Sequence, residues 1–93
     1  MHIVPGFMVR QVAGETIAIP AGVAARHLSG LLALNGSGKL LFNLLQTEQT
    51  PASLVQALLD HYEIDPLTAE ADVEEFLNIL RTNGVLVESS TEA

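Results

Sequence analysis

The sequence has 93 residues but no cysteine and no tryptophan, and its aromatic residues are three phenylalanines and one tyrosine. Without cysteine, disulfide bonds, thiolate metal sites, iron–sulfur clusters and a cysteine nucleophile are excluded. No apolar run reaches the roughly 18 residues that a membrane span needs, and the first ten residues lack the pattern of a secretory signal. We therefore expect a cytoplasmic protein with an aliphatic core and no membrane partner.

Basic residues are also scarce. Four Lys and Arg residues face eleven Asp and Glu residues, and the formal net charge is −7. Up to Thr47 three cations outweigh one acid, which gives +2, whereas from Glu48 onward ten acids face one arginine, which gives −9. The acidic half would repel a duplex nucleic acid, so we expect no nucleic-acid partner. A protein or peptide that carries Lys or Arg is compatible with this charge.

The length suits one small domain, which we assign to residues 1–88, with a flexible tail at 89–93. Residues 7–13 and 15–19 are rich in β-favouring side chains and predict a hairpin with a tight turn at Gly14-Glu15. Residues 31–34 are all apolar and lie between Gly30 and Asn35-Gly36, which predicts a third strand covered on both faces.

Three amphipathic helices follow, and residues 85–87 predict a short final strand. Their predicted N-terminal residues are, in chain order, Asn35 or Ser37, Thr50 with Pro51, and Asp65 with Pro66. The last helix is predicted to close at Gly84. A three-stranded antiparallel sheet followed by three helices is an α+β fold, like a winged helix-turn-helix.

No catalytic, cofactor or metal site can be assembled from the residues. Gly36-Ser37-Gly38-Lys39 resembles part of a phosphate-binding loop, but Ala33 stands where that loop needs Gly and Leu40 where it needs Ser or Thr. The three histidines do not have the i, i+4 spacing of helical metal ligands, and no serine has the context of a nucleophile. We expect a binding protein that is not an enzyme and carries no cofactor.

Several segments in a fixed order resemble the PqqD family, over most of the chain from Val4 to Leu86. They are Val4-Pro5-Gly6-Phe7-Met8-Val9-Arg10, the Gly14-Glu15 hairpin, Gly30-Leu31-Leu32-Ala33-Leu34-Asn35-Gly36-Ser37-Gly38, Phe42-Asn43-Leu44-Leu45, Asp72-Val73-Glu74-Glu75-Phe76-Leu77 and Gly84-Val85-Leu86. Phe42 and Ser37 stand where the family often has Trp and Thr, and both changes keep the type of chemistry.

The resemblance implies a peptide chaperone, or recognition element, for ribosomally made and modified peptides. Such a domain captures the leader segment of a precursor peptide and presents it to a modifying enzyme, commonly a radical SAM protein. The leader adds as a strand beside the third strand, in a groove that the third helix completes. We expect a peptide pathway other than pyrroloquinoline quinone synthesis.

The residues are compatible with that role. An edge strand offers unpaired backbone groups, and apolar pockets with nearby carboxylates would hold apolar and basic leader residues. The predicted peptide-binding residues are Leu31, Leu32, Ala33, Leu34, Asp72, Glu75, Phe76 and Ile79. Two alternatives stay open, namely a transcription-related winged-helix module that binds protein or DNA, and an oligomerising domain. A homodimer formed through the edge strand is compatible with the sequence.

Overall fold

A computed structural model describes residues 1–28 and 30–88, and the predicted tail at 89–93 lies outside the described residues. Its strands are β1 (His2–Ile3), β2 (Phe7–Val12), β3 (Glu15–Pro20), β4 (Leu32–Leu34) and β5 (Leu86–Val87). Its α-helices are α1 (Gly36–Leu44), α2 (Pro51–His61) and α3 (Pro66–Thr82). The predicted α+β order of a three-stranded antiparallel sheet followed by three helices, like a winged helix-turn-helix, is confirmed.

The hairpin turn lies one residue earlier than predicted. Ala13 and Gly14 both have positive φ angles, 54° and 82°, as the two central residues of a type I′ turn require. Glu15 is already the first residue of β3 and pairs with Val12. This turn type follows the twist of the flanking strands, and it carries a non-glycine residue in the left-handed region.

The predicted third strand is shorter than expected and is covered on one face only. It begins at Leu32, and Leu32 and Leu34 are each 8% exposed, while Ala33 between them is exposed. Leu31 lies just before the strand and is 57% exposed. The prediction of cover on both faces was wrong because, in the described part of the chain, the helices pack against one side of this sheet.

The helix starts follow the predicted residues, with one difference in α3. Asn35 caps α1 by accepting a hydrogen bond from the Gly38 amide at 2.8 Å, and Thr50 forms a capping box with Ser53. Asp65 occupies the N-cap position of α3, but its carboxylate accepts a hydrogen bond from the Thr68 hydroxyl and caps no backbone amide. The helices therefore begin where the sequence predicted.

The core lies between the sheet and the helices. Its largest fully buried side chains are Phe42, Leu41, Leu45, Leu54, Leu58, Leu80 and Val85. Phe7 of β2 meets Phe42 edge to face, with ring centroids 5.4 Å apart. These contacts hold the sheet against α1 and fix the position of β4, which precedes that helix.

The structure contains a second sheet of two short strands, β1 and β5, and β1 was not predicted. His2 pairs with Val87 and Ile3 pairs with Leu86. The C-terminal strand was expected at residues 85–87, and the structure places β5 at Leu86–Val87 with Val85 buried beside it. A two-residue strand is too short for a periodic pattern, so β1 could not be recognised from the sequence.

Candidate functional site

The main sheet has one short edge strand that faces a helix. The strand order is β2-β3-β4, so β4 pairs with β3 on one side and with no other described strand on the opposite side. Its register places Leu34 opposite Thr16, Ala33 opposite Ile17 and Leu32 opposite Ala18. Alternate residues of an edge strand direct their backbone N–H and C=O groups away from the sheet. This edge therefore has the hydrogen-bonding groups to accept a further strand.

Helix α3 lies across from this edge, and the two elements border a groove. At one end of the groove a cavity of about 60 Å³ is lined by Leu32, Ala33, Leu34, Asn35, Phe76, Ile79 and Leu80. All but one of these side chains are apolar. The cavity is small, and its volume suits a single aliphatic side chain.

A second cavity of about 80 Å³ adjoins the first. Its lining comprises Asn35, Ser37, Gly38, Asp72, Glu75, Phe76 and Ile79. Asn35, Phe76 and Ile79 line both cavities, so the two cavities form consecutive parts of one groove. The second cavity combines apolar side chains with two carboxylates and the polar start of α1.

Spacing on α3 explains why these side chains share a face. Asp72, Phe76 and Leu80 are separated by four residues each, and Glu75 and Ile79 lie beside them, so all five fall on neighbouring turns of one helix face. Exposure increases from the core outward: Leu80 is fully buried, Phe76 is partly buried and Ile79 is 45% exposed. Leu80 therefore anchors the helix, while Phe76 and Ile79 are accessible from the groove.

The two carboxylates of α3 that line the groove are not neutralised by other described residues of the protein. Neither Asp72 nor Glu75 has an ion-pair or hydrogen-bond partner in residues 1–28 and 30–88. Arg81, the one cation of α3, donates from Nε to Glu88 Oε2 at 2.9 Å. Its side chain does not line the groove, and the hydrogen bond from Arg81 lowers the pKa of Glu88. The groove is therefore locally acidic.

A broader, open depression of about 560 Å³ lies on the solvent side of α3, and Glu75 and Ile79 border both it and the groove. Its lining residues all belong to α3 and the residue that follows it, and no second described element faces them. Depressions of this kind carry no enclosed site, so the groove beside β4 is the better candidate.

Seven of the eight predicted peptide-binding residues line the two cavities of the groove. Leu32, Ala33 and Leu34 line the apolar cavity, Asp72 and Glu75 line the mixed cavity, and Phe76 and Ile79 line both. Leu31 lies outside both cavities, one residue before β4. Their role in binding peptide stays a prediction.

Four further lining residues were not predicted as part of the site, namely Asn35, Ser37, Gly38 and Leu80. The i, i+4 spacing of Leu80 from Phe76 was a usable signal for this helix face. By contrast, the approach of the first turn of α1 to α3 depends on tertiary packing.

Two negative findings accompany this geometry. In residues 1–28 and 30–88, no group of three or more His, Cys, Asp or Glu side chains could hold a metal ion. The helices among these residues are all too short or too polar to cross a lipid bilayer.

The solved structure of TbiB1 in complex with the TbiA(beta) leader peptide is similar to this chain, with a TM-score of 0.72. The match covers 98% of this chain and 100% of that chain at 21% sequence identity. At this identity the likeness shows a shared fold. The search of curated proteins gave no match.

The family model described as coenzyme PQQ synthesis protein D (PqqD) matches residues 15–86. This span includes β3, β4, all three helices and both cavities of the groove. The chain belongs to the PqqD family.

Proposed function

We propose that residues 1–88 form a non-catalytic peptide chaperone that binds the leader segment of a ribosomally made precursor peptide. The leader adds as a strand to the free edge of β4, and its alternate side chains enter the groove beside α3. The chaperone then presents the precursor to a modifying enzyme, such as a radical SAM protein. The protein works in the cytoplasm, where precursor peptides are made.

The observation that carries this proposal is the groove itself. A free strand edge supplies backbone hydrogen bonds to any extended peptide, and pockets beside it supply sequence selectivity. Both features occur together at β4, where the edge is open and two cavities lie between the strand and α3. Membership of the PqqD family and the fold shared with TbiB1, which was solved with a leader peptide, support the same role.

Strand β2 is the second free edge of the sheet and a useful comparison. It is six residues long, and Met8, Val9 and Val12 are 44%, 47% and 55% exposed. The cavity that β2 lines has a volume of about 160 Å³ and lies against Lys39 and Asn43 of α1, and its lining includes no residue of α3. Backbone pairing could also occur at β2, so we rely on the chemistry of the groove beside α3 to select β4.

Calorimetric titration with a synthetic leader peptide tests the proposal. The probe is the leader of the short precursor reading frame encoded nearest to the gene for this chain, in unmodified form and with N-methyl groups on alternate residues. Each N-methyl group removes one donor, so methylation in one of the two alternate phases should abolish binding while the other phase leaves it largely intact. Equal binding by the unmodified peptide and both methylated forms would overturn strand addition.

The same titration, together with sedimentation and a gel shift, distinguishes peptide binding from the two alternative functions. A self-associating domain would be indifferent to the peptide and would show concentration-dependent mass in sedimentation. A transcription-related module would retard duplex DNA in a salt-dependent gel shift. We expect no retardation of duplex DNA, because the part of the chain from Glu48 onward carries a formal charge of −9.

A further inference from the structure

We infer that the groove selects a leader segment in which a Lys or Arg lies two residues before an aliphatic residue. This inference rests on the proposed strand addition and specifies which class of peptide the groove accepts. It follows from the different chemistry of the two cavities, their spacing along α3 and their order along β4.

The apolar cavity defines the aliphatic position. Leu32, Leu34 and Leu80 are buried at its floor, and Phe76 and Ile79 form its more accessible wall. A polar or charged side chain placed here would lose hydration without gaining a full set of partners. An aliphatic side chain has no polar group whose hydration would be lost, and it covers the exposed part of Ile79.

The mixed cavity requires a hydrogen-bond donor. Asn35 Oδ1 already accepts from the Gly38 amide at 2.8 Å and from the Ser37 hydroxyl at 3.3 Å. The carboxylates of Asp72 and Glu75 have no partner in the described part of the chain, and the cavity lining contains no Lys, Arg or His. An acidic leader residue would meet like charges here, whereas a basic one would satisfy both carboxylates.

The apolar part of the same cavity distinguishes Lys and Arg from a small polar residue. Phe76 and Ile79 line the cavity beside the two carboxylates. Lys and Arg have a long apolar stem that can lie against such side chains while the charged end reaches the acids. The cavity therefore matches both parts of a long basic side chain.

The separation of the two cavities fits the repeat of a strand. Asp72 lines only the mixed cavity, Leu80 lines only the apolar cavity, and Phe76, midway between them, lines both. The midpoints of residues 72–76 and 76–80 are four positions apart, which is about 6 Å along a helix axis. Side chains on one face of a strand recur every two residues, or about 6.7 Å. Two successive inward side chains of an added strand would thus meet the two cavities in turn.

The direction of the added strand sets the order. Leu32, at the start of β4, lines the apolar cavity, whereas Ser37 and Gly38, which follow β4, line the mixed cavity. All described strand pairs are antiparallel. A leader that continues this pattern runs opposite to β4 and reaches the mixed cavity first, so the basic residue precedes the aliphatic one.

Selection from a random library of displayed 12-residue peptides tests this inference. The three baits are the unaltered chain, Asp72→Asn with Glu75→Gln, and Glu70→Gln with Glu74→Gln. Both variants remove two charges from α3, but Glu70 and Glu74 do not line the groove cavities. We expect the unaltered chain and the Glu70/Glu74 variant to enrich Lys or Arg two residues before Leu, Ile or Val. The Asp72/Glu75 variant should keep the aliphatic preference and lose the basic one.

One enriched peptide is then measured by fluorescence anisotropy. Replacing its basic residue with Glu should weaken binding to the unaltered chain by about three- to tenfold or more, and the Asp72/Glu75 variant should bind both peptides nearly equally. Enriched peptides without a basic residue, or a basic preference that survives in the Asp72/Glu75 variant, would overturn the inference while leaving strand addition intact. A reversed order, with the aliphatic residue first, would overturn the antiparallel direction. If no bait enriches any peptide, the proposed function fails as well.

Discussion

Gly38 and Phe76 meet where α1 begins beside the groove. A β-carbon at Gly38 would lie 3.4 Å from Cε1 of Phe76 and 2.9 Å from Oδ1 of Asn35. The missing side chain therefore lets the ring of Phe76 lie against the first turn of α1 while Asn35 keeps its cap. This contact joins α1, the helix that follows the edge strand β4, to α3, the helix that completes the groove.

Replacing Gly38 with Ala is expected to destabilise the protein by about 1–2 kcal/mol. Alanine favours a helix over glycine by about 1 kcal/mol, but here its β-carbon displaces the capping side chain and presses on Phe76. Gly36→Ala is the matched control, because its nearest neighbour, the Tyr62 hydroxyl, is 4.0 Å away. Urea unfolding should show a loss of stability for Gly38→Ala, and either no change or a small gain for Gly36→Ala. Equal effects of the two changes would contradict this account of the contact.

The hairpin turn offers a stabilising change. Ala13 has a φ of 54°, a conformation that costs a residue with a β-carbon about 1 kcal/mol. Asn tolerates this region and precedes Gly in favoured type I′ turns, so Ala13→Asn should stabilise the protein by about 0.5–1 kcal/mol. Gly14→Ala, at a φ of 82°, should have the opposite sign. Thermal unfolding of the two variants beside the unaltered protein checks both signs, and a destabilising Ala13→Asn would show that the turn is of another type.

Replacing Ile79 should weaken peptide binding more than it affects folding stability. Because it is 45% exposed, Ile79→Ala should change the free energy of unfolding by less than about 1 kcal/mol, yet weaken leader binding by about 1 kcal/mol, or roughly fivefold. Leu67→Ala is the control, since Leu67 is an exposed aliphatic residue of the same helix, 75% exposed, that lines neither cavity. Titration calorimetry with each variant gives the comparison. Equal affinity of the two variants for the leader would place the binding surface elsewhere.

The ion pair between Arg81 and Glu88 predicts a dependence on pH. The hydrogen bond from Arg81 holds the pKa of Glu88 below its ordinary value of 4.5 in the folded state. A lowered carboxyl pKa stabilises the fold above pH 4.5, and this contribution disappears as the pH falls through the folded-state pKa. The contribution is small because both side chains are substantially exposed.

Carboxyl NMR titration measures this effect directly. In the unaltered protein the Glu88 carboxyl should titrate below pH 4.5, and in Arg81→Gln it should return toward that value. Glu63→Gln serves as a control that leaves the pair in place. An unchanged Glu88 titration in Arg81→Gln would mean that the pair does not form in solution.

Most of the fold could be predicted from the sequence because its helix starts depend on residues that are close together in the chain. Thr50 with Pro51, and Asp65 with Pro66, mark helix starts by chemistry that acts within one turn, and the structure places α2 and α3 there. The failures depend on distant parts of the chain. The strand β1 exists because His2 and Ile3 meet Val87 and Leu86 at the other end of the chain.

The lining of the candidate groove could be predicted in part, because some of it follows from local patterns. The helix residues Asp72, Phe76 and Ile79 follow from helical periodicity, and β4 follows from its apolar run. The exposure of Leu31 and Ala33 did not follow, because a run of four apolar residues carries no information about which faces are covered. Nor could any local pattern show that Ser37 and Gly38 approach α3, since that approach depends on packing around Phe76.

The most direct test of the central claim is a ¹⁵N-edited NMR titration that locates the bound leader on one edge of the sheet. We predict that adding the leader peptide shifts the amides of Leu32, Ala33 and Leu34 and those of α3 from Asp72 to Ile79, and slows hydrogen exchange along β4. Amides of β2, the other free edge, should be unaffected. Shifts confined to β2, or shifts in neither edge strand at saturating peptide, would contradict the claim that β4 and α3 form the binding groove.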